Sequence, residues 1–208
     1  MKLRWDLVAI AYALLALVGA GLSIVLNGPN PFQHPAANLT LGLMERHGLS
    51  CGLGLALGVF VVATTRLTVT HFGWARRLHT ELRPVAVGMG GPTILVVAAL
   101  SSLGEELVFR SLLTPLLGVW LQGVLFGFLH QIRGSSRWFW MGWAACVGLA
   151  LGALYWLTGS LAGPLVAHGF INAVNLLYLR DHSLGVSDPP LGGLLAGQVT
   201  EESSAGEG

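Results

Sequence analysis

Six apolar stretches, each long enough to cross a bilayer as a helix, follow one another through this sequence with few charges inside them. A helix rises about 1.5 Å per residue and the hydrocarbon layer is about 30 Å thick, so runs of roughly 17–25 apolar residues are span candidates. The pattern predicts spans over 7–26, 49–69, 84–113, 116–132, 138–158 and 161–179. The third is long, and Gly90, Gly91 and Pro92 predict a kink near its start. The first follows Lys2 and Arg4, as the apolar core of a signal peptide would, but it is longer than such a core and more membrane follows. Only 10% of the residues are charged and 53% are hydrophobic, against about 25% charged in a soluble domain. Lipid must therefore solvate most of the surface, and backbone in lipid must satisfy its own hydrogen bonds. The expected fold class is all-α, a polytopic transmembrane helix bundle of about six spans.

Charge sets the orientation and excludes some partners. The formal net charge is +1 and the single lysine is Lys2, so there is no basic surface for nucleic acid. With the N-terminus inside, Lys2, Arg4, Arg66, Arg76, Arg77, Arg83, Arg133, Arg137 and Arg180 all fall on the cytoplasmic side, and only Arg46 falls outside. Both termini are thus expected in the cytoplasm. Trp5, Trp74, Trp138 and Trp140 lie near span ends and fit an aromatic belt. One transmembrane domain over 1–180 is expected, then a polar tail over 181–208, rich in Gly, Ser, Pro and Glu, that reads as disordered. Cys51 and Cys146 fall in apolar runs and read as small core residues. The histidines at 34, 47, 71, 79 and 182 read as solvated or interfacial loop residues.

An ionisable side chain inside a span costs about 2.5–3.5 kcal/mol even on insertion scales, so each one calls for a reason. Glu105, Glu106 and Arg110 occupy one span, His130 the next, and His168 with Asn172 the last. Residues four apart share a helix face. Glu106 and Arg110 can therefore neutralise each other, Phe126 packs beneath His130, and His168 aligns with Asn172. Glu105, one residue from Glu106, points elsewhere and keeps its carboxylate free. Counted from turns near 114–118 and 159–160 at about 1.5 Å per residue, Glu105, His130 and His168 lie about 14, 18 and 12 Å deep. A carboxylate facing imidazoles in a low-dielectric layer suits water activation, and donors on the last span would face a developing oxyanion. Two His and one Glu also permit a zinc reading, with Glu105, His130 and His168 as the ligands. No His-Glu-x-x-His spacing accompanies them.

Glu-Glu-x-x-x-Arg, Phe-x-x-x-His and His-x-x-x-Asn, in this order on successive spans, resemble the CPBP family of intramembrane proteases, which includes CAAX prenyl endopeptidases and bacterial relatives linked to bacteriocin processing and self-immunity. The similarity covers 92–178, including Leu157–Pro164 ahead of His168. The resemblance implies Glu105 as the water-activating base, His130 as its partner, Glu106 with Arg110 as an organising ion pair, and His168 with Asn172 as transition-state stabilisers. That family has been described both as metal-dependent and as glutamate-type; the residues here favour the glutamate type without a cofactor, zinc being the alternative. Expected partners are a membrane-anchored protein or peptide substrate and the lipid bilayer. The near absence of lysine suggests a prokaryotic plasma membrane. Rival readings are a non-catalytic immunity or scaffold protein of the same fold and a proton-coupled transporter; paired repeats or broken helices in both halves, which would favour a transporter, are not evident.

Overall fold

The structure, a computed structural model, describes residues 4–184. The helices are α1 (Trp5–Asn27), α2 (Leu43–His71), α3 (Gly73–Ala86), α4 (Gly91–Glu106), a π-helical continuation of α4 (Leu107–Leu113), α5 (Thr114–Leu129), α6 (Arg137–Thr158) and α7 (Ala162–Asp181). Among the described residues the only β pairing is an isolated bridge between Gln33 and Ser160. Five continuous helical stretches are long and apolar enough to cross a membrane: Trp5–Asn27, Leu43–His71, Gly91–Leu129, Arg137–Thr158 and Ala162–Asp181. The chain is thus an all-α, multi-pass membrane protein. Beyond Leu184 the polar tail lies outside the described residues.

The stretch Gly91–Leu129 is folded back on itself. Gly118 has φ 76° and ψ 168°, a left-handed backbone that only glycine adopts at little cost, and it interrupts the helix. The Phe109 and Phe126 rings, on either side of it, meet edge to face at 4.9 Å. The stretch therefore supplies two antiparallel legs, giving six in all, and the turn expected near 114–118 is present. The returning leg from Val119 to Leu129 rises about 16 Å, well short of the hydrocarbon thickness.

Pro115 explains what happens just before this turn. It has no N–H, so it cannot serve the Ser111 carbonyl four residues back. Helix α1 supplies the donors instead: Ser23 Oγ and Asn27 Nδ2 donate to Ser111 O at 3.1 and 2.9 Å, and Asn27 Nδ2 also donates to Leu112 O. These bonds fix α1 against the π-helical stretch.

Small residues bring the remaining helices close. Ser50, Gly54 and Gly58 repeat every four residues on α2, and a Cβ at Gly54 would run into Gly163 O on α7. Gly123 and Gly127 of α5 face α6 in the same way, where a Cβ at Gly127 would lie 2.6 Å from Met141 O. In lipid, such close backbone packing replaces the hydrophobic effect as the force joining helices.

The structure corrects several details of the sequence reading. The third span begins at Gly91 and not at 84, because Pro84 lies in the last turn of a separate helix, α3, whose polar residues Arg76, Arg77 and Thr80 are exposed. Pro92 starts α4 without a kink, in the first turn where a missing N–H is harmless. His47 and His71 lie in α2, His79 is buried in α3, and His34 is buried in the loop 28–42. Cys146 is exposed and Cys51 half-buried. A helix in lipid is apolar all round, so an apolar run does not reveal which residues face protein.

The bundle has two dissimilar ends. At the arginine-rich end, Glu81 of α3 accepts from the backbone N–H groups of Ser135 and Ser136, while His79 and Arg83 donate to His182 O. At the other end, the loop 28–42 is tied to the α6–α7 turn by His34 N to Gly159 O, Asn38 N to Trp156 O, Leu39 N to Leu157 O and Leu161 N to Phe32 O.

Candidate active site

Glu106 and Arg110 are both wholly buried, and Arg110 Nη1 donates to Glu106 Oε1 at 2.9 Å. Arg110 Nη2 reaches Gly148 O of α6 at 3.2 Å, and its guanidinium lies 4.4 Å above the Phe126 ring. Gln122 of α5 donates to the same Gly148 carbonyl at 3.0 Å. A Cβ at position 148 would come within 2.9 Å of Phe126, so glycine there lets ring, guanidinium and amide converge on one backbone oxygen.

His168 lies between the two carboxylates. Its Nδ1 is 2.7 Å from Glu106 Oε1, and its Nε2 is 3.7 Å from Glu105 Oε2. His130 approaches Glu105 Oε2 from the other side, its Nε2 at 3.6 Å. His130 Nδ1 donates to Phe126 O at 2.7 Å, which leaves Nε2 of the neutral ring without a proton. Glu105 Oε2 is buried and has no hydrogen-bond partner among the described residues. It therefore faces two imidazole edges across separations too long for direct hydrogen bonds.

Glu105, Glu106 and Arg110 set two carboxylates against one guanidinium in the membrane interior, and His168 lies against both carboxylates. His130 has 24% of its side chain exposed against 6% for His168, so His130 is the more accessible of the two imidazoles.

The sequence-derived residues Glu105, Glu106, Arg110, His130 and His168 are thus brought together. Asn172 is not aimed at them directly: its Nδ2 donates to Ser101 Oγ at 3.1 Å. Ser101 is one helical turn before Glu105 and shares its face. Phe126 does more than pack beneath His130, because its ring also touches Phe109, Arg110 and His168. Three residues near the site escaped the sequence reading. Gln122 and Ser101 are buried polar residues inside apolar runs, and Tyr12 of α1 turns its hydroxyl towards Glu105. A polar side chain within an apolar run was the available signal in each case.

The donor set does not assemble as the zinc alternative requires. The contacts run pairwise through Glu105, and among the described residues no group of three or more His, Cys, Asp or Glu side chains is arranged to hold a metal ion. The residues present do not form a closed ligand set.

Comparison with known proteins agrees with the motifs. Residues 89–174 match the model of the family described as type II CAAX prenyl endopeptidase Rce1-like. The matched segment contains every site residue from Glu105 to Asn172 and nearly coincides with the 92–178 resemblance, which is borne out over it. An uncharacterized protein YpbD of Bacillus subtilis (strain 168) is 33% identical over 89 residues, 43% of this chain and 47% of that protein. The match thus spans about half the length of that curated relative. No solved structure matches.

Proposed function

We propose that the protein is an intramembrane endopeptidase that hydrolyses a peptide bond of a membrane-anchored protein or peptide with water activated by Glu105 and His130. The observation that carries this reading is the unpartnered Glu105 Oε2, 3.6 and 3.7 Å from two imidazole nitrogens contributed by two other helices. Glu106 also keeps one oxygen, Oε2, without a partner among the described residues, but its Oε1 is held by Arg110 and His168; what sets Glu105 apart is that its free oxygen is the one facing both imidazole nitrogens.

In this mechanism a water enters from the His130 side and bridges Glu105 Oε2 and His130 Nε2. Glu105 takes its proton while the oxygen adds to the scissile carbonyl carbon. The carbonyl oxygen becomes an oxyanion, and the imidazolium form of His168 donates to it through Nε2 while its Nδ1–H stays on Glu106. The proton held by Glu105 then passes to the leaving nitrogen as the C–N bond breaks, giving a carboxylic acid and an amine. Arg110 holds Glu106, and Glu106 orients His168; neither touches the substrate. Asn172 acts through Ser101 in holding the Glu105 face. No step calls for a cofactor. The substrate class extends to C-terminal sorting tags and bacteriocin-like peptides, whose cleavage sites can enter the lipid phase.

The test is co-expression with lipid-anchored and single-span candidate substrates, comparing the wild type with Glu105→Gln and His130→Ala. Processing should disappear in both. Unchanged processing would refute the assignment.

A further inference from the structure

The end of the bundle opposite the arginine cluster contains a hollow that the proteolytic reading does not use. It measures about 510 Å³ and is lined by, among others, Asn27, Gln33, His34, Thr40 and Arg46. Among the described residues no Asp or Glu lines it. Its walls are fixed, because the loop 28–42 is hydrogen-bonded to the α6–α7 turn and Asn27 is held on the Ser111 and Leu112 carbonyls.

The side chains facing it are donors in need of an acceptor. Arg46 pairs with no carboxylate among the described residues; its one bond is a long 3.4 Å contact from Nη2 to Leu41 O, and its Nε is buried without a partner. His34 is 9% exposed, and its Nδ1 accepts from Ala36 N–H at 3.0 Å, which puts the proton of the neutral ring on Nε2. Gln33 and Thr40 add an amide and a hydroxyl that no hydrogen bond within the described residues occupies. A guanidinium with three neutral donors and no acid matches an oxyanion with several acceptor oxygens.

Position indicates the source of that oxyanion. The hollow lies where α1 ends and α2 begins, level with the boundary of the apolar layer. Val25, Leu26, Leu43 and Met44 beside it are between 54% and 79% exposed, so an apolar surface descends directly from it. We propose that this hollow binds the phosphate of an anionic phospholipid in the leaflet opposite the arginine-rich end, with Arg46 as its charged ligand, His34, Gln33 and Thr40 as donors, and the acyl chains lying along α1 and α2.

Native mass spectrometry of the full chain, released from detergent with added phosphatidylglycerol or phosphatidylcholine, tests this. Wild type should retain phosphatidylglycerol preferentially. Arg46→Gln should weaken that binding about tenfold, the effect of losing one charge-assisted contact. Thr40→Ala, at an exposed loop position that tolerates truncation, should weaken it by a smaller factor. The double variant Arg76→Gln/Arg77→Gln, at the far end, should leave preferential binding intact. Equal binding by the wild type and both Arg46→Gln and Thr40→Ala would overturn the site, as would loss confined to the far-end variant. Inorganic phosphate binding as tightly as the lipid would overturn the lipid as its source. None of these outcomes depends on peptide hydrolysis.

Discussion

Arg110→Met offers the sharpest test of how the polar core is held together. The substitution keeps an unbranched side chain of similar reach but removes the guanidinium that donates to Glu106 Oε1 at 2.9 Å and to Gly148 O at 3.2 Å. Both members of the pair are fully buried, so solvent screens neither. Breaking a buried pair from one side costs about 3–5 kcal/mol, because the remaining charge is stranded in a low-dielectric interior. His168 Nδ1 already contacts Glu106 and can relieve part of that cost, which places the expected loss near the lower figure, about 3 kcal/mol. At roughly 2–4 °C per kcal/mol for a chain of this size, the melting temperature should fall by about 6–12 °C. The matched double variant Glu106→Gln/Arg110→Met strands no charge and should recover more than half of the loss while remaining inactive. Thermal melting of the detergent-purified protein, followed by helical circular dichroism, gives both values. An Arg110→Met protein as stable as the wild type, or a double variant no better than the single one, would refute the claim that this pair is held by mutual compensation.

Other expectations follow from single contacts. Gly54→Ala places a Cβ against Gly163 backbone and should lower stability by about 1–3 kcal/mol, whereas Gly52→Ala on the same helix meets nothing and should be neutral or slightly stabilising, as paired melts would record. Tyr12→Phe should leave the melting temperature unchanged and slow turnover by roughly three- to tenfold, since it removes only the hydroxyl turned towards Glu105. Burial holds the imidazoles of His34 and His79 below the usual histidine range, with Arg66, Arg83 and His182 further opposing a charge on His79. The unfolded chain therefore takes protons first on acidification: their contribution to stability is complete above about pH 6.5 and is lost as pH falls towards the lowered values. Melts between about pH 7.5 and 5 should show this decline, and His79→Gln should flatten it. Chelator treatment should leave peptide cleavage intact if Glu105 and His130 activate water unaided; its abolition, with restoration by zinc, would refute the glutamate mechanism.

Much of the architecture was present in local sequence because the bilayer makes a one-dimensional demand. An apolar run either reaches across about 30 Å or does not, and the spans over 7–26, 138–158 and 161–179 agree closely with helices Trp5–Asn27, Arg137–Thr158 and Ala162–Asp181. Buried ionisable groups are equally conspicuous, so Glu105, Glu106, Arg110, His130 and His168 stood out, and helical spacing alone paired Glu106 with Arg110. Tertiary packing decided the rest. Which face of an apolar helix meets protein and which meets lipid has no signature when both are apolar, and Cys146 was misjudged for that reason. Pro84 belongs to α3 and Pro92 to α4 because an irregular connection separates them, a boundary that hydrophobicity does not mark. Above all, the sequence placed three ionisable residues at similar depths, but the approach of His130 and His168 to one oxygen of Glu105 depends on the Gly118 reversal and on glycine contacts between α2 and α7 and between α5 and α6. Those contacts fix rotation and distance between helices, quantities that a single strand of sequence does not contain.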